Sequence, residues 1–114
     1  MTAGLTKELR KQIYKRDGYR CALCDSTDGL QIHHYIPRGK GGCNHPMNLI
    51  TLCWRCHAAA HGSICHDFYL MDITAENIQA AHDECILQME YECARYLGDY
   101  YAEEKGEVWY PWEG

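Results

Sequence analysis

Apolar positions recur with two periods along the chain, and the change between them divides it. Over 6–17, Leu9 and Ile13 lie four apart among bases, with Thr6 placed to cap and Gly18 to stop; this predicts a short basic helix. Over 30–36, apolar residues fall at 30, 32 and 36 ahead of Pro37, the alternation of a strand. Gly39, Gly41, Gly42, Asn44 and Pro46 predict a flexible loop, 48–52 a second short strand, and the alanine-rich 54–61 a short helix. Beyond Gly62 the period lengthens: Ile78, Ala81, Cys85, Met89, Cys93, Tyr96 or Leu97, and Tyr100 step by three and four. They predict one long helix, capped by Asp72 or Thr74, running to Lys105 and Gly106, with Gly98 as a candidate break. The tail 108–112, Val-Trp-Tyr-Pro-Trp, is too aromatic for an ordinary frayed terminus.

Length and charge sharpen that division. A chain of 114 residues with 46% apolar content has room for one core, and three Trp and nine Tyr set it apart from disordered sequences. No run approaches the roughly 20 apolar residues of a membrane span, and the first residues lack a secretory signal, so a cytoplasmic protein is expected. The net charge of −5 is unevenly shared: residues 1–62 carry nine Lys and Arg against four acids, and residues 63–114 carry two against twelve. A basic working half, 1–62, is therefore expected beside an acidic helical half, 63–114, which packs on it or serves association. The bases are Lys7, Arg10, Lys11, Lys15, Arg16, Arg20, Arg38, Lys40 and Arg55, each a candidate phosphate contact.

Chemistry concentrates in the basic half. Cys21 and Cys24, then Cys53 and Cys56, form two Cys-x-x-Cys pairs. Each pair spans one edge of a tetrahedron, and four thiolates close a structural zinc site; two separate redox pairs or buried free thiols are the competing reading. His33 and His34 are adjacent on a strand and point to opposite faces, so one ion takes one of them and leaves the other to act on water. His57 and His61 share a face of the short helix. Of the remaining cysteines, Cys85 and Cys93 read as packed thiols on the apolar stripe; Cys43 and Cys65, the latter beside His66, are weaker candidates for another metal site. His45 reads as a loop residue and His82 as solvent-facing.

The run 15–24 (Lys-Arg-Asp-Gly-Tyr-Arg-Cys-Ala-Leu-Cys), then 30–37 with its His-His pair, Gly41-Gly42, Asn48-Leu49 and 52–57 (Leu-Cys-Trp-Arg-Cys-His), resembles the HNH endonuclease family in its zinc-stapled form. The resemblance covers residues 9 to 62; residues 63–114 match no family pattern. It implies a small α+β protein with a ββα-metal, treble-clef-like core, a structural zinc and one catalytic divalent cation (Mg, Mn, Zn or Ni), followed here by a long acidic helix. It further implies metal-dependent cleavage of phosphodiester bonds in DNA. On this match the catalytic residues are His34, Asn48 and His57: His34 is the general base, Asn48 holds the loop that orients it, and His57 holds the catalytic metal. His33 is a second ligand of that metal, and His61 a further ligand or a phosphate contact. The alternative is a catalytically inactive, zinc-stabilised nucleic-acid-binding module. Expected partners are DNA and, through the long helix, a second copy of the chain or another protein. A stand-alone unit of this size suits a phage gene.

Overall fold

The computed structural model describes residues 5–62 and 74–112, a small α+β arrangement whose two strands are braced by three helices. Helix α1 (Lys7–Arg16) starts at Thr6, whose hydroxyl accepts from the Leu9 N–H at 3.1 Å, and stops before Gly18, which holds φ at +77°. Strands β1 (Gln31–His34) and β2 (Leu49–Leu52) pair antiparallel, with His33 opposite Ile50 and His34 opposite Leu49. Asn48 sits at the end of a one-turn 3-10 helix (Pro46–Asn48) rather than in β2, because its side chain is engaged with the loop. Helix α2 (Trp54–Ala60) follows β2 directly, with Cys53 as its cap.

The loop between the strands is closed at its neck. The Pro37 carbonyl accepts from both the Lys40 and Gly42 N–H groups, and a Cβ on Gly42 would fall on the Ile36 carbonyl. Asn48, fully buried, bridges the same neck. Its Oδ1 accepts from the Ile36 N–H at 2.7 Å, and its Nδ2 donates to the Ile36 and Cys43 carbonyls at 3.1 and 2.9 Å.

Helix α3 (Ile78–Glu104) is about 40 Å long at 1.5 Å per residue. It begins after Asn77, later than Thr74; Thr74 and Asn77 instead exchange hydrogen bonds in the preceding turn, and Asp72 lies outside the described residues. Gly98 does not break it; the helix runs through this position, where the Trp109 ring lies alongside. Its buried residues are Ala81, Cys85, Met89, Cys93, Leu97 and Tyr101. Leu97 is buried in preference to Tyr96 and Tyr101 in preference to Tyr100, and Ile78 is exposed.

The reason is geometric. A step of four residues turns the helix by about 400°, so each step rotates the buried row by about 40°. The row therefore winds around α3 as the helix crosses the core diagonally. Near its start His82 bonds the Gly62 carbonyl after α2, so His82 is not solvent-facing as the pattern suggested; near its end Tyr96 and Tyr101 reach α1. Met89, Cys93, Leu97 and Tyr101 share one core with Cys21, Met47, Ile50, Leu52, Cys53 and Cys56, so this part of the stripe is buried within the chain.

A polar hub fastens α1 beneath this core. Arg16, expected among the phosphate-binding bases, turns inward. It donates to both Asp17 carboxylate oxygens (2.7 and 2.9 Å) and to the Pro46 and Leu49 carbonyls (2.9 and 2.7 Å). Asp17 also accepts from the Thr51 N–H and the Tyr96 hydroxyl. Burial opposes the guanidinium charge, but the bonds to Asp17 and Tyr101 outweigh it and raise its pKa.

Candidate metal centres and nuclease site

Two ligand clusters flank α2. The first joins Cys21 and Cys24, in the turn after α1, to Cys53 and Cys56, at the start of α2; the four sulfurs lie within 4.8 Å of one another. The turn is anchored by the Ala22 N–H on the Thr51 carbonyl and by the Cys21 N–H on the Ser26 carbonyl. Sγ–Sγ separations of 3.6 Å (Cys24–Cys53) and 3.8 Å (Cys24–Cys56) match the roughly 3.8 Å edge of a tetrahedron with Zn–S bonds of about 2.3 Å. Electrostatics point the same way. The hydrogen bond from Cys56 pulls the Cys21 pKa down, while that bond and burial drive the Cys56 pKa up, so the four sulfurs cannot all ionise without a cation among them. The donor set fits structural zinc.

The second cluster is His33 from β1 with His57 and His61 from α2 and its end, their ligand nitrogens again within 4.8 Å. Strand alternation puts His33 on the α2 side and His34 on the other. The Nε2 atoms of His57 and His61 stand 3.2 Å apart, within the range of about 3.0–3.4 Å for two nitrogens bound at 2.0–2.1 Å to one ion. The His57 Nδ1–H donates to Gln31 Oε1, which fixes the ring and leaves Nε2 as the ligand atom. Burial first, then the neighbouring His57 and His61, lowers the His33 pKa to about 3; burial and His61 lower that of His57. Neutral imidazoles with converging lone pairs suit a divalent cation. An open cavity of about 430 Å³ adjoins His33 and His61 and is rimmed by Lys40 from the loop and Glu90 from α3.

His34 stands outside this group, as alternation requires. Its Nε2–H donates to Asn44 Oδ1 at 2.8 Å, leaving Nδ1 to accept a proton. Asn48 holds the loop carrying Asn44 but does not touch His34 in any bond described above. His61 is a full member of the histidine cluster, level with His33 and His57. Sequence reasoning missed Gln31 and Asn44. Gln31 was findable, two positions before His33 on the same strand face; Asn44 was not, since its approach depends on loop geometry. Cys43 donates to the Pro111 carbonyl, Cys85 and Cys93 are buried, and Cys65 and His66 lie outside the described residues. His45 does more than fill the loop: its Nδ1 accepts from the Met47 N–H and caps the 3-10 turn.

The HNH endonuclease family model matches residues 21–63, the span that carries both clusters. Anaredoxin from Nostoc sp. (strain PCC 7120 / SAG 25.82 / UTEX 2576) is 32% identical over 56 residues, covering 48% of this chain and 74% of that protein. No solved structure matches the chain. Among the described residues, no helix is long and apolar enough to cross a membrane.

Proposed function

The chain belongs to the HNH endonuclease family, and from that premise we propose that it is a metal-dependent endonuclease hydrolysing phosphodiester bonds in DNA. The observation that carries the proposal is the pairing of three metal-ready imidazoles, His33, His57 and His61, with His34 on the next strand position, tethered through one nitrogen only. His33, His57 and His61 would hold a divalent cation. When bound, it would stabilise charge on the phosphoryl group and on the departing oxygen. His34 Nδ1 takes the proton of the attacking water, the Asn44 bond holding its ring in the tautomer that leaves Nδ1 free. Asn48 keeps the neck closed and so fixes the loop on which Asn44 rides. Gln31 orients His57. Exposed bases Lys7, Arg10, Lys11 and Lys15 on α1, with Arg38 and Lys40 on the loop, supply phosphate contacts independent of base sequence.

The test is incubation of supercoiled plasmid with purified protein across magnesium, manganese, zinc and nickel. The parent is expected to cleave with at least one metal. His34→Ala is expected to lose about 10²–10⁴-fold in rate with unchanged zinc content and folding. His57→Ala is expected to shift the metal concentration needed. Cleavage by His34→Ala at the parent rate would remove the base assignment, and no cleavage by the parent under any metal would leave the nucleic-acid-binding module.

A further inference from the structure

The aromatic tail takes no part in either cluster. After α3, Gly106 at φ +64° turns the chain back, and residues 109–111 are fastened to the loop in succession. Trp109 Nε1 donates to the Met47 carbonyl at 2.7 Å, and its ring meets Tyr35 edge-on at 5.2 Å. The Tyr110 N–H points at Met47 Sδ, and Pro111 is fully buried with its carbonyl accepting from Cys43. The alternation is that of an extended segment: Trp109 and Pro111 point in, Tyr110 and Trp112 out. Those two outward rings stay 54% and 55% exposed, 5.4 Å apart and tilted by 52°. A backbone so firmly tied would allow polar residues there, yet it holds two aromatic faces toward solvent.

Tyr110 and Trp112 border an open groove of about 560 Å³ whose other wall carries Asn44 and His45. Asn44 is the residue that holds His34, so one hydrogen bond links the groove wall to the proposed general base. Building on the nuclease reading above, we propose that Tyr110 and Trp112 form a stacking platform for an unpaired nucleobase of the DNA strand lying at His34. The occupant follows from the lining. Aromatic faces and a neutral amide suit a neutral planar ring, while Glu107 in the groove wall, with no Lys or Arg among the lining residues, disfavours a phosphate there. A paired base keeps both faces covered by its neighbours; an unpaired one offers them to aromatic side chains. The platform therefore selects single-stranded or locally opened DNA.

The test uses the whole 114-residue, zinc-loaded chain and needs no cleavage. Binding of an end-labelled twelve-nucleotide thymidine oligomer and of an abasic oligomer with the same number of phosphates is measured by fluorescence anisotropy without added divalent metal. The parent is expected to bind the base-bearing strand about tenfold more tightly. The Tyr110→Ala/Trp112→Ala double variant is expected to bind both strands as the parent binds the abasic one, and Trp112→Phe to restore much of the preference. Equal binding of the two strands by the parent overturns the platform without any variant having to fold; so does a folded double variant that keeps the preference. A failure of the nuclease reading shows as no cleavage by the parent under any metal with its base preference retained, and a failure of the platform as cleavage by a parent that binds the two strands equally.

Discussion

Replacing Asp17 by Ala tests whether the polar hub, and not the hydrophobic core alone, holds the site loop in place. The carboxylate is enclosed, with the Arg16–Asp17 pair leaving side-chain exposures of 6% and 0%. Its removal deletes two bonds from Arg16, one from the Thr51 N–H at 2.9 Å and one from the Tyr96 hydroxyl at 2.8 Å. Breaking a buried ion pair by removing one partner costs about 3–5 kcal/mol, because the surviving charge stays buried. The stranded Thr51 N–H adds to this, while the Pro46 and Leu49 carbonyls still accept from Arg16 and limit the loss. A net destabilisation of about 4 kcal/mol is expected, a large share of the roughly 5–15 kcal/mol of an ordinary domain. In urea unfolding at a fixed free zinc concentration, with a slope of about 1.5–2 kcal/mol/M, the midpoint is expected to fall by about 2–3 M. The double variant Arg16→Met/Asp17→Leu, which removes both charges, is expected to recover at least about 2 kcal/mol of that loss. An Asp17→Ala midpoint within about 0.5 M of the parent would refute the hub as a main support of the fold.

Three further outcomes follow from the two clusters and the core. Cys53→Ser is expected to abolish tight zinc binding, about one ion per parent chain by elemental analysis, and to unfold the 1–62 region, since the metal closes a site drawn from two distant segments; wild-type melting of this variant would count against a structural zinc. Gln31→Ala is expected to weaken binding of a second divalent ion by about 10–100-fold in isothermal titration while leaving the cysteine-bound zinc in place; an unchanged affinity would detach Gln31 from the metal centre. Burial first, then the nearby Cys21, Glu92 and Glu90, pushes the Cys93 thiol up to about 12. Cys93 is therefore expected to resist alkylation at pH 8 in the folded, zinc-loaded chain while partly exposed Cys43 reacts, as read by peptide mass mapping; rapid labelling of Cys93 under those conditions would contradict the packing of α3.

The parts of the fold that follow from local chemistry were legible in the sequence. Thr6 caps α1, Gly18 ends it, and the alternation through His33 and His34 divides them between two faces, because caps and strand pleats are decided within a few residues. The Cys-x-x-Cys pairs come together because each fits one tetrahedral edge, whatever lies between them. Properties set by tertiary contact were not legible. Arg16 reads as one more base on a basic helix, and only the carbonyls of Pro46 and Leu49, some 30 residues away, explain its turn inward. The start of α3 at Ile78 was misplaced by several residues, since Thr74 is as good a local cap as any and is used one turn earlier. Tyr101 replaces Tyr100 in the buried row because a winding row of fours follows its partners, and those partners change from α2 to α1 along its length. The His34–Asn44 bond joins residues ten apart through a loop whose path the sequence does not specify.

The closed neck at Gly42 and Asn48 divides the interstrand loop into two parts with different freedom to vary. Any side chain at 42 collides with the Ile36 backbone, whereas Gly39 has open space around the position of a Cβ; Gly41 is as open but is kept to glycine by its φ of +91°. Changes of length at the tip need not reach His34 or Asn48, because the bonds that set the strand register lie below the constriction, and lengthening a surface loop adds little closure entropy, about 0.6 kcal/mol per doubling. The tip is thus an exchangeable module, whose length can change while the strand register beneath it stays fixed. Insertion at that one point leaves both ligand clusters untouched, since their residues lie on β1, in the turn after α1, and at the start and along the length of α2 to His61 at its end.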